Sequence, residues 1–90
     1  MGHLHYEFDA SEGDVIEILL DHAANVQLLD PENYENYANG REYRYRGGYA
    51  TTSPVRLDVP RAGKWHVAID FGGGPGQVRA VARLISGATV

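Results

Sequence analysis

The sequence predicts an all-β, mainly antiparallel protein: a small β-sandwich or flattened barrel of about seven strands with one short helix. Two observations predict this fold class. Apolar and polar residues alternate with a period of two in several runs, as in strands with one face on a core and the other in water. Short segments rich in Gly, Pro, Asp and Asn separate these runs and are typical of tight turns. At this spacing we expect antiparallel hairpins that close into a sandwich.

Length, cysteine content and charge narrow the class of protein further. Ninety residues suit one domain, so we assign 1–90 to a single β-sandwich domain. The chain has no cysteine, no signal-peptide pattern and no apolar run long enough for a membrane span. We therefore expect a cytoplasmic protein that does not associate with membranes. A formal net charge of −4 disfavours attraction to a phosphate backbone, so no nucleic-acid partner is expected.

The alternating runs place the strands in order. They are expected at His3–Phe8, Val15–Leu20, Asn25–Leu29, Val55–Val59 and Trp65–Phe71. Trp65 alternates with Val67 and Ile69, which indicates a structural role in the core. The C-terminal segment Val78–Ile85 fits both a helical stripe and a strand. Its Val and Ile content favours a strand, and Arg79 near a helix start would oppose the helix dipole, so we predict a strand there.

One helix is expected between Asp30 and Gly40. Asp30 can cap its first turn, Pro31 suits the first helical position, and Gly40 can adopt the left-handed conformation that ends a helix. Tyr34 and Tyr37 are three residues apart, so both can face the sheet. A helix this short needs that packing to be stable.

Motifs for catalysis are not evident. The glycine-rich run 72–76 follows a strand, but neither a helix nor the Lys-Ser/Thr pair of a Walker loop follows it, so we interpret it as a flexible hairpin. Ser11, Ser53 and Ser86 stand in turn-like or terminal contexts without a nucleophile-elbow pattern. We predict no catalytic residues, no cofactor and no enzyme activity.

Histidines are the only metal-ligand candidates that the pattern offers. His3 and His5 project from the same face of a strand and could chelate a metal. No carboxylate or thiolate close in the sequence completes a set of metal ligands. His22 and His66 can join His3 and His5 only if the fold brings them close. Ordinary surface or packed histidines are the favoured interpretation, and no metal is expected.

A segment rich in arginine and tyrosine, 41–49, is the candidate binding site. In a strand, Tyr43 and Tyr45 share one face while Arg44 and Arg46 share the other. Two guanidiniums on one face can hold a phosphate or carboxylate, and a Gly-Gly pair lets a ligand or backbone approach closely. The alternative is an edge hairpin with tyrosines on the core and arginines in water. The candidate residues are Arg41, Tyr43, Arg44, Tyr45, Arg46, Gly47 and Gly48.

The same segment carries a resemblance to a known family. A Tyr-x-Tyr-x-Gly-Gly motif occupies 43–48, and a Ser-Pro…Pro-x-x-Gly-x-Trp pattern runs from Ser53 to Trp65. With Leu4-His5-Tyr6 and Gly13-Asp14-Val15, these pieces make the whole chain resemble a bacterial family of small all-β domains of unknown function. The resemblance implies a β-sandwich that occurs alone or fused to other domains such as TIR domains. It implies no reaction and no catalytic residue.

These observations predict a non-catalytic binding or assembly module. The expected partner is another protein or a second copy of the chain, as in a homodimer, because small sheets with exposed edges often pair. One alternative is a sensor for an anionic metabolite or nucleotide, which Arg44 and Arg46 would bind. Another is a minor metal-dependent enzyme that uses the histidines.

Overall fold

The computed structural model describes residues 3–70 and 79–86, which form seven strands and one helix. The elements are β1 Leu4–Ala10, β2 Val15–Leu20, β3 Ala24–Leu29, α1 Pro31–Ala38, β4 Arg46–Ala50, β5 Val55–Asp58, β6 Gly63–Asp70 and β7 Ala80–Ile85. All strand pairings among these residues are antiparallel. The predicted fold class is confirmed, and so is a strand in the ambiguous C-terminal segment, over Ala80–Ile85.

The strands form two sheets, one of four strands in the order β1-β6-β3-β4 and one of three in the order β5-β2-β7. The expectation of antiparallel hairpins is wrong for these strands. Apart from β3 and β4, which α1 separates, strands consecutive in the chain lie in different sheets. Turn chemistry reverses the chain in both arrangements, so the turn residues alone cannot distinguish a hairpin from a crossing between sheets.

The core lies between the two sheets and follows the alternation in the sequence. Ile16 and Ile18 from β2 face Val26, Val67 and other apolar side chains of the four-stranded sheet, and all of them are buried. Trp65 is only 4% exposed within this core. Its indole N–H donates to the carbonyl oxygen of Arg61 at 3.0 Å, which satisfies its one polar atom. The structural role predicted for Trp65 is confirmed.

Glu17 is the polar residue at the centre of the three-stranded sheet. It is 4% exposed and lies opposite Arg56 on β5 and Arg83 on β7. The guanidinium Nε of Arg83 donates to one carboxylate oxygen at 2.7 Å, and that of Arg56 donates to the other at 3.1 Å. One buried charge is thus balanced from both neighbouring strands, as a carboxylate removed from water requires.

Helix α1 packs on the outer face of the four-stranded sheet. The carboxylate of Asp30 accepts the backbone N–H of Asn33 at 2.8 Å, Pro31 stands in the first turn, and Gly40 has a φ of +73° just past the end. Tyr34 and Tyr37 are half-buried against the sheet. The cap, the stop and the orientation of the tyrosines predicted from the sequence are all confirmed.

Two further observations complete the fold. Among the residues that the structure describes, none belongs to a helix long and apolar enough to cross a membrane. The glycine-rich run 72–76, interpreted above as a hairpin, lies outside the described residues.

Candidate functional site

The outer face of β1 and β6, beneath α1, brings together two histidines and a carboxylate that are far apart in sequence. Antiparallel pairing places Glu7 directly opposite His66. His5 precedes Glu7 by two residues on the same strand, so its side chain projects from the same face. The fold therefore supplies partners for His5 that are close in space, one of them 61 residues away along the chain.

The two imidazoles meet edge to edge. Nε2 of His5 and Nδ1 of His66 share a hydrogen bond of 2.7 Å, and the rings are nearly parallel at 11°. The Tyr34 ring stacks over both, with centroid distances of 4.1 Å to His5 and 4.6 Å to His66. The Tyr34 hydroxyl in turn bonds Nε2 of His3 at 3.0 Å. The helix thus fixes the orientation of an imidazole pair that the sheet brings together.

The environment of His3 and His66 favours their neutral forms. Burial lowers the pKa of His66, and the neighbouring His5 adds to the decrease. Burial likewise lowers the pKa of His3, again with a contribution from His5. His66 is 7% exposed, whereas His5 and Glu7 are open to solvent. The cluster thus has one buried member and two accessible ones.

A second polar group lies beside the first, centred on Asp70 of β6. Its carboxylate accepts hydrogen bonds from the side-chain amides of Asn25 and Gln27 and from the Tyr37 hydroxyl. Burial together with the Asp70 carboxylate raises the pKa of Tyr37 well above its ordinary value. The Tyr43 ring packs edge-on against Tyr37 at 5.2 Å. These contacts fasten α1 and the following loop to the sheet.

The histidine cluster has the composition and spacing of a metal-ligand set. One ligand atom each from His5, Glu7 and His66 lies within 4.8 Å of the others. The carboxylate of Glu7 is 3.8 Å from Nδ1 of His66. Two imidazoles and one carboxylate suit divalent first-row transition ions. His22 does not join this cluster: it lies in the β2–β3 turn and contacts Asp21.

The segment proposed from the sequence as a binding site lies at an edge of the four-stranded sheet. Strand β4 begins at Arg46, so residues 41–45 form a loop and not the first half of a strand. Asn33 anchors this loop, because its side-chain oxygen accepts the backbone N–H of Arg44 at 2.7 Å. Tyr43 is half-buried, whereas Tyr45 is 49% exposed.

The arginines of this segment differ from those elsewhere in the described residues. Arg56, Arg61 and Arg83 each pair with a carboxylate. Within residues 3–70 and 79–86, no carboxylate forms an ion pair with any of the segment's three arginines, which are all exposed: Arg41, Arg44 and Arg46. They form a basic edge on a chain whose net charge is −4.

Gly47 of the Gly-Gly pair admits the close approach of a backbone, and that backbone belongs to the domain itself. Gly47 has a φ of +113°, and an added Cβ would overlap the carbonyl oxygen of Val26 on β3. Gly48 has open space at the same position. The first glycine therefore serves strand pairing, whereas the second makes no such close approach.

A shallow cavity of about 210 Å³ lies between the β2–β3 and β4–β5 turns. Its lining comprises Leu20, Asp21, His22, Ala23, Ala50, Thr51, Thr52 and Ser53. This lining includes none of the arginines of 41–46, so the sensor interpretation gains no support from the cavity. Binding of an anionic small molecule by Arg44 and Arg46 stays a prediction.

Sequence reasoning missed part of the histidine cluster. Glu7 was not recognised as a partner, although the period of two places it on the face of His3 and His5. That signal was available in the sequence. The pairing of β1 with β6, which brings His66 to Glu7, is non-local and has no local signature. Tyr34 was correctly placed on the sheet side of α1, but its position over the imidazoles depends on the same pairing.

Fold and site together define a small antiparallel β-sandwich with one helix laid over a histidine- and tyrosine-rich sheet face. The chain belongs to the family described as Domain of unknown function (DUF1883), whose model matches residues 1–86. Comparison with curated proteins and with solved structures gave no significant match.

Proposed function

We propose that this domain is a non-catalytic binding and assembly module that associates with a second copy of itself through the β4 edge of one copy and an acidic surface of the other. The observation that carries the proposal is the exposed edge at 41–49. There β4 has a neighbour on one side only among the described strands, and Tyr49 is 66% exposed. An unpaired strand edge offers free backbone donors and acceptors to another strand.

The other edges of the two sheets are less suited to this role. The β1 edge approaches β7, where the Tyr6 hydroxyl donates to the carbonyl oxygen of Ala80 at 2.9 Å. Strands β5 and β7 carry the arginines that neutralise Glu17. By contrast, the β4 edge combines tyrosine with uncompensated arginine, and these two residue types are enriched at protein interfaces.

Charge complementarity favours a second copy as the partner. The edge segment holds three arginines against one glutamate, in a chain whose net charge is −4. The remainder of another copy is therefore acidic and attracts this edge at low ionic strength, so we expect the β4 edge to dock on an acidic surface of the second copy and not on its equally basic β4 edge. The resemblance to bacterial domains found fused to TIR domains supports the same function, because a fused assembly module brings its neighbours together. We also propose that this module is located in the cytoplasm.

Light scattering coupled to size-exclusion chromatography tests the proposal, with the untagged protein at about 10 μM to about 1 mM. We expect the mass to rise from monomer to dimer or larger across this range, because a contact between unlike surfaces leaves one β4 edge free, and to rise less in high salt. Arg46→Glu and Tyr49→Ser should each weaken dimerisation by about tenfold or more. Both side chains are exposed, so the fold should be retained.

Arg79→Glu is the matched control, since it makes the same charge change at an exposed position directly before β7. It should leave the dimer unaffected. A protein that stays monomeric up to about 1 mM would overturn the assembly function. Equal weakening by Arg79→Glu and Arg46→Glu would overturn the assignment to β4, because it would show an effect of net charge alone.

A further inference from the structure

The histidine cluster under α1 has features that packing alone does not require. His66 is buried and directs its Nδ1 toward Nε2 of His5. The Glu7 carboxylate lies beside that Nδ1 of His66. Three donors of two chemical types thus converge from two strands. Their convergence is independent of the β4 edge, which lies at the opposite side of the four-stranded sheet from β1.

From this geometry we infer that His5, Glu7 and His66 form a binding site for a divalent first-row transition ion, with Zn²⁺ as its best match. The two imidazole nitrogens and one carboxylate oxygen would be three ligands. A fourth position would remain for water or for a side chain of a partner.

The distances fit this ligand set once His5 turns within its ring plane, because the two nitrogens point at each other in the hydrogen bond but must converge on a tetrahedral ion at about 109°. Zn–N bonds of about 2.0–2.1 Å in a tetrahedral site separate two ligand nitrogens by about 3.3 Å. The observed separation of 2.7 Å must therefore widen slightly. His5 is exposed and can turn to allow this, while buried His66 stays in place. The side chain of Glu7 is 48% exposed and has room to bring an oxygen closer.

Metal binding would require no net gain or loss of protons by the two histidines. In the hydrogen-bonded pair one nitrogen carries the shared hydrogen and the other accepts it. On metal binding that hydrogen moves to the other nitrogen of the same ring, so both facing nitrogens present lone pairs. Each ring remains a neutral imidazole, which is the form that binds a metal.

The donor set also decides the class of ion. Ca²⁺ takes six to eight oxygen ligands, and Mg²⁺ prefers an octahedron of oxygens, so a site with one carboxylate suits neither. Imidazole nitrogen with a carboxylate suits Zn²⁺, Co²⁺ or Ni²⁺. Tyr34 would act as a positioning residue, because its ring stacks on both imidazoles and keeps them parallel to itself, while each can still turn within its own plane.

Metal titration of the untagged full chain tests the site, after removal of metal with a chelator. Isothermal titration with Zn²⁺ should give one ion per chain. Co²⁺ should produce visible absorption bands typical of four or five ligands. His5→Gln and Glu7→Gln should each weaken Zn²⁺ binding by at least about tenfold, since even groups behind the ligands have effects of that size. Both side chains are accessible, so these variants should fold, and thermal unfolding without metal checks this.

His22→Gln is the control for adventitious binding, because His22 is an exposed histidine outside the cluster. Its affinity for Zn²⁺ should equal that of the wild type. The site would be refuted by the absence of saturable binding up to about 1 mM Zn²⁺, or by unchanged affinity in folded His5→Gln. A loss of binding in His22→Gln would equally refute it, because the ion would then lie at the β2–β3 turn. In each of these cases the histidines form a hydrogen-bonded pair that only supports packing.

Discussion

Gly47 is the residue at which the sheet most clearly excludes a side chain. Its φ of +113° is a conformation that L-residues rarely adopt, and an added Cβ would overlap the Val26 carbonyl oxygen. Both the unfavourable φ and the overlap involve backbone atoms in the middle of a strand pair, which have little freedom to move. We predict that Gly47→Ala lowers the free energy of unfolding by about 3 kcal/mol or more.

Gly40 provides the matched comparison for Gly47. It also has a positive φ, +73°, but nothing lies within 4 Å of an added Cβ. Gly40→Ala should therefore show the conformational cost alone, about 1 kcal/mol. Urea denaturation of both variants measures the difference. Equal losses would mean that the β3–β4 pair yields to the methyl group, and that close approach is not why glycine occupies position 47.

Single residues were predictable from the sequence where their role is set by near neighbours. Asp30 as a helix cap, Gly40 as a helix stop and Trp65 as a core residue follow from local chemistry and alternation, and all three are confirmed. The roles of Glu7 and Glu17 depend on strands far away in the chain. Glu17 has no distinguishing local pattern, and Glu7 has only its place on the face of His3 and His5, so neither role follows from the sequence alone.

At the scale of elements, helix α1 is held at its start by the Asp30 cap and places Tyr34 over the histidine cluster. Asp30 accepts the N–H of Asn33, and its second oxygen pairs with Arg61 at 3.2 Å. The helix has eight residues and none of them is fully buried, so its end contributes a large share of its stability. We predict that Asp30→Ala costs about 1 kcal/mol in global stability.

Asp30→Asn separates the two contacts of this side chain. Asparagine caps a helix about as well as aspartate but carries no charge for Arg61, whose side chain is 64% exposed. That surface pair contributes less than about 1 kcal/mol, so Asp30→Asn should lie close to the wild type. Chemical denaturation gives the order of stability. If Asp30→Asn were as unstable as Asp30→Ala, the ion pair and not the cap would hold the helix.

Element positions were predictable to within a few residues, but the neighbours of each strand were not. Alternation places β2 at Val15–Leu20, which is what the structure shows. The alternation does not predict that β2 pairs with β5 and β7, because a strand with one buried face can pair with any strand edge of suitable register. The loop at 41–45 was missed for a related reason. Tyr43 alternates as in a strand but is held by Tyr37 of the helix.

The whole molecule depends on contacts between distant parts of the chain, and Glu17 is the clearest case among charged residues. Its carboxylate binds Arg56 and Arg83, which are 39 and 66 residues away. The hydrogen bond from Arg83 holds the pKa of Glu17 below its ordinary value. Burial acts in the opposite direction and raises this pKa, while the hydrogen bond from Arg56 lowers it further. The ionised form is thus bound more strongly in the folded state than in the unfolded state.

This lowered pKa predicts how the stability of the domain depends on pH. A carboxyl whose pKa is lower in the folded state stabilises the fold above its ordinary pKa of 4.5, and this contribution is lost as the pH falls through the folded value. Glu17→Gln cannot ionise, so it lacks the contribution at every pH. We therefore expect Glu17→Gln to be less stable than the wild type at neutral pH, and the gap to narrow below about pH 4.5.

Urea denaturation at several pH values, followed by Trp65 fluorescence, measures the gap between the wild type and Glu17→Gln. Trp65 is a suitable reporter because it is the single tryptophan and is buried in the core. Glu12→Gln is the control, since Glu12 is exposed in the β1–β2 turn and forms no ion pair with a described residue. It should match the wild type throughout. A gap for Glu17→Gln that stayed constant as the pH fell would contradict the prediction, because the Glu17 charge would then contribute nothing and only the loss of side-chain packing would remain.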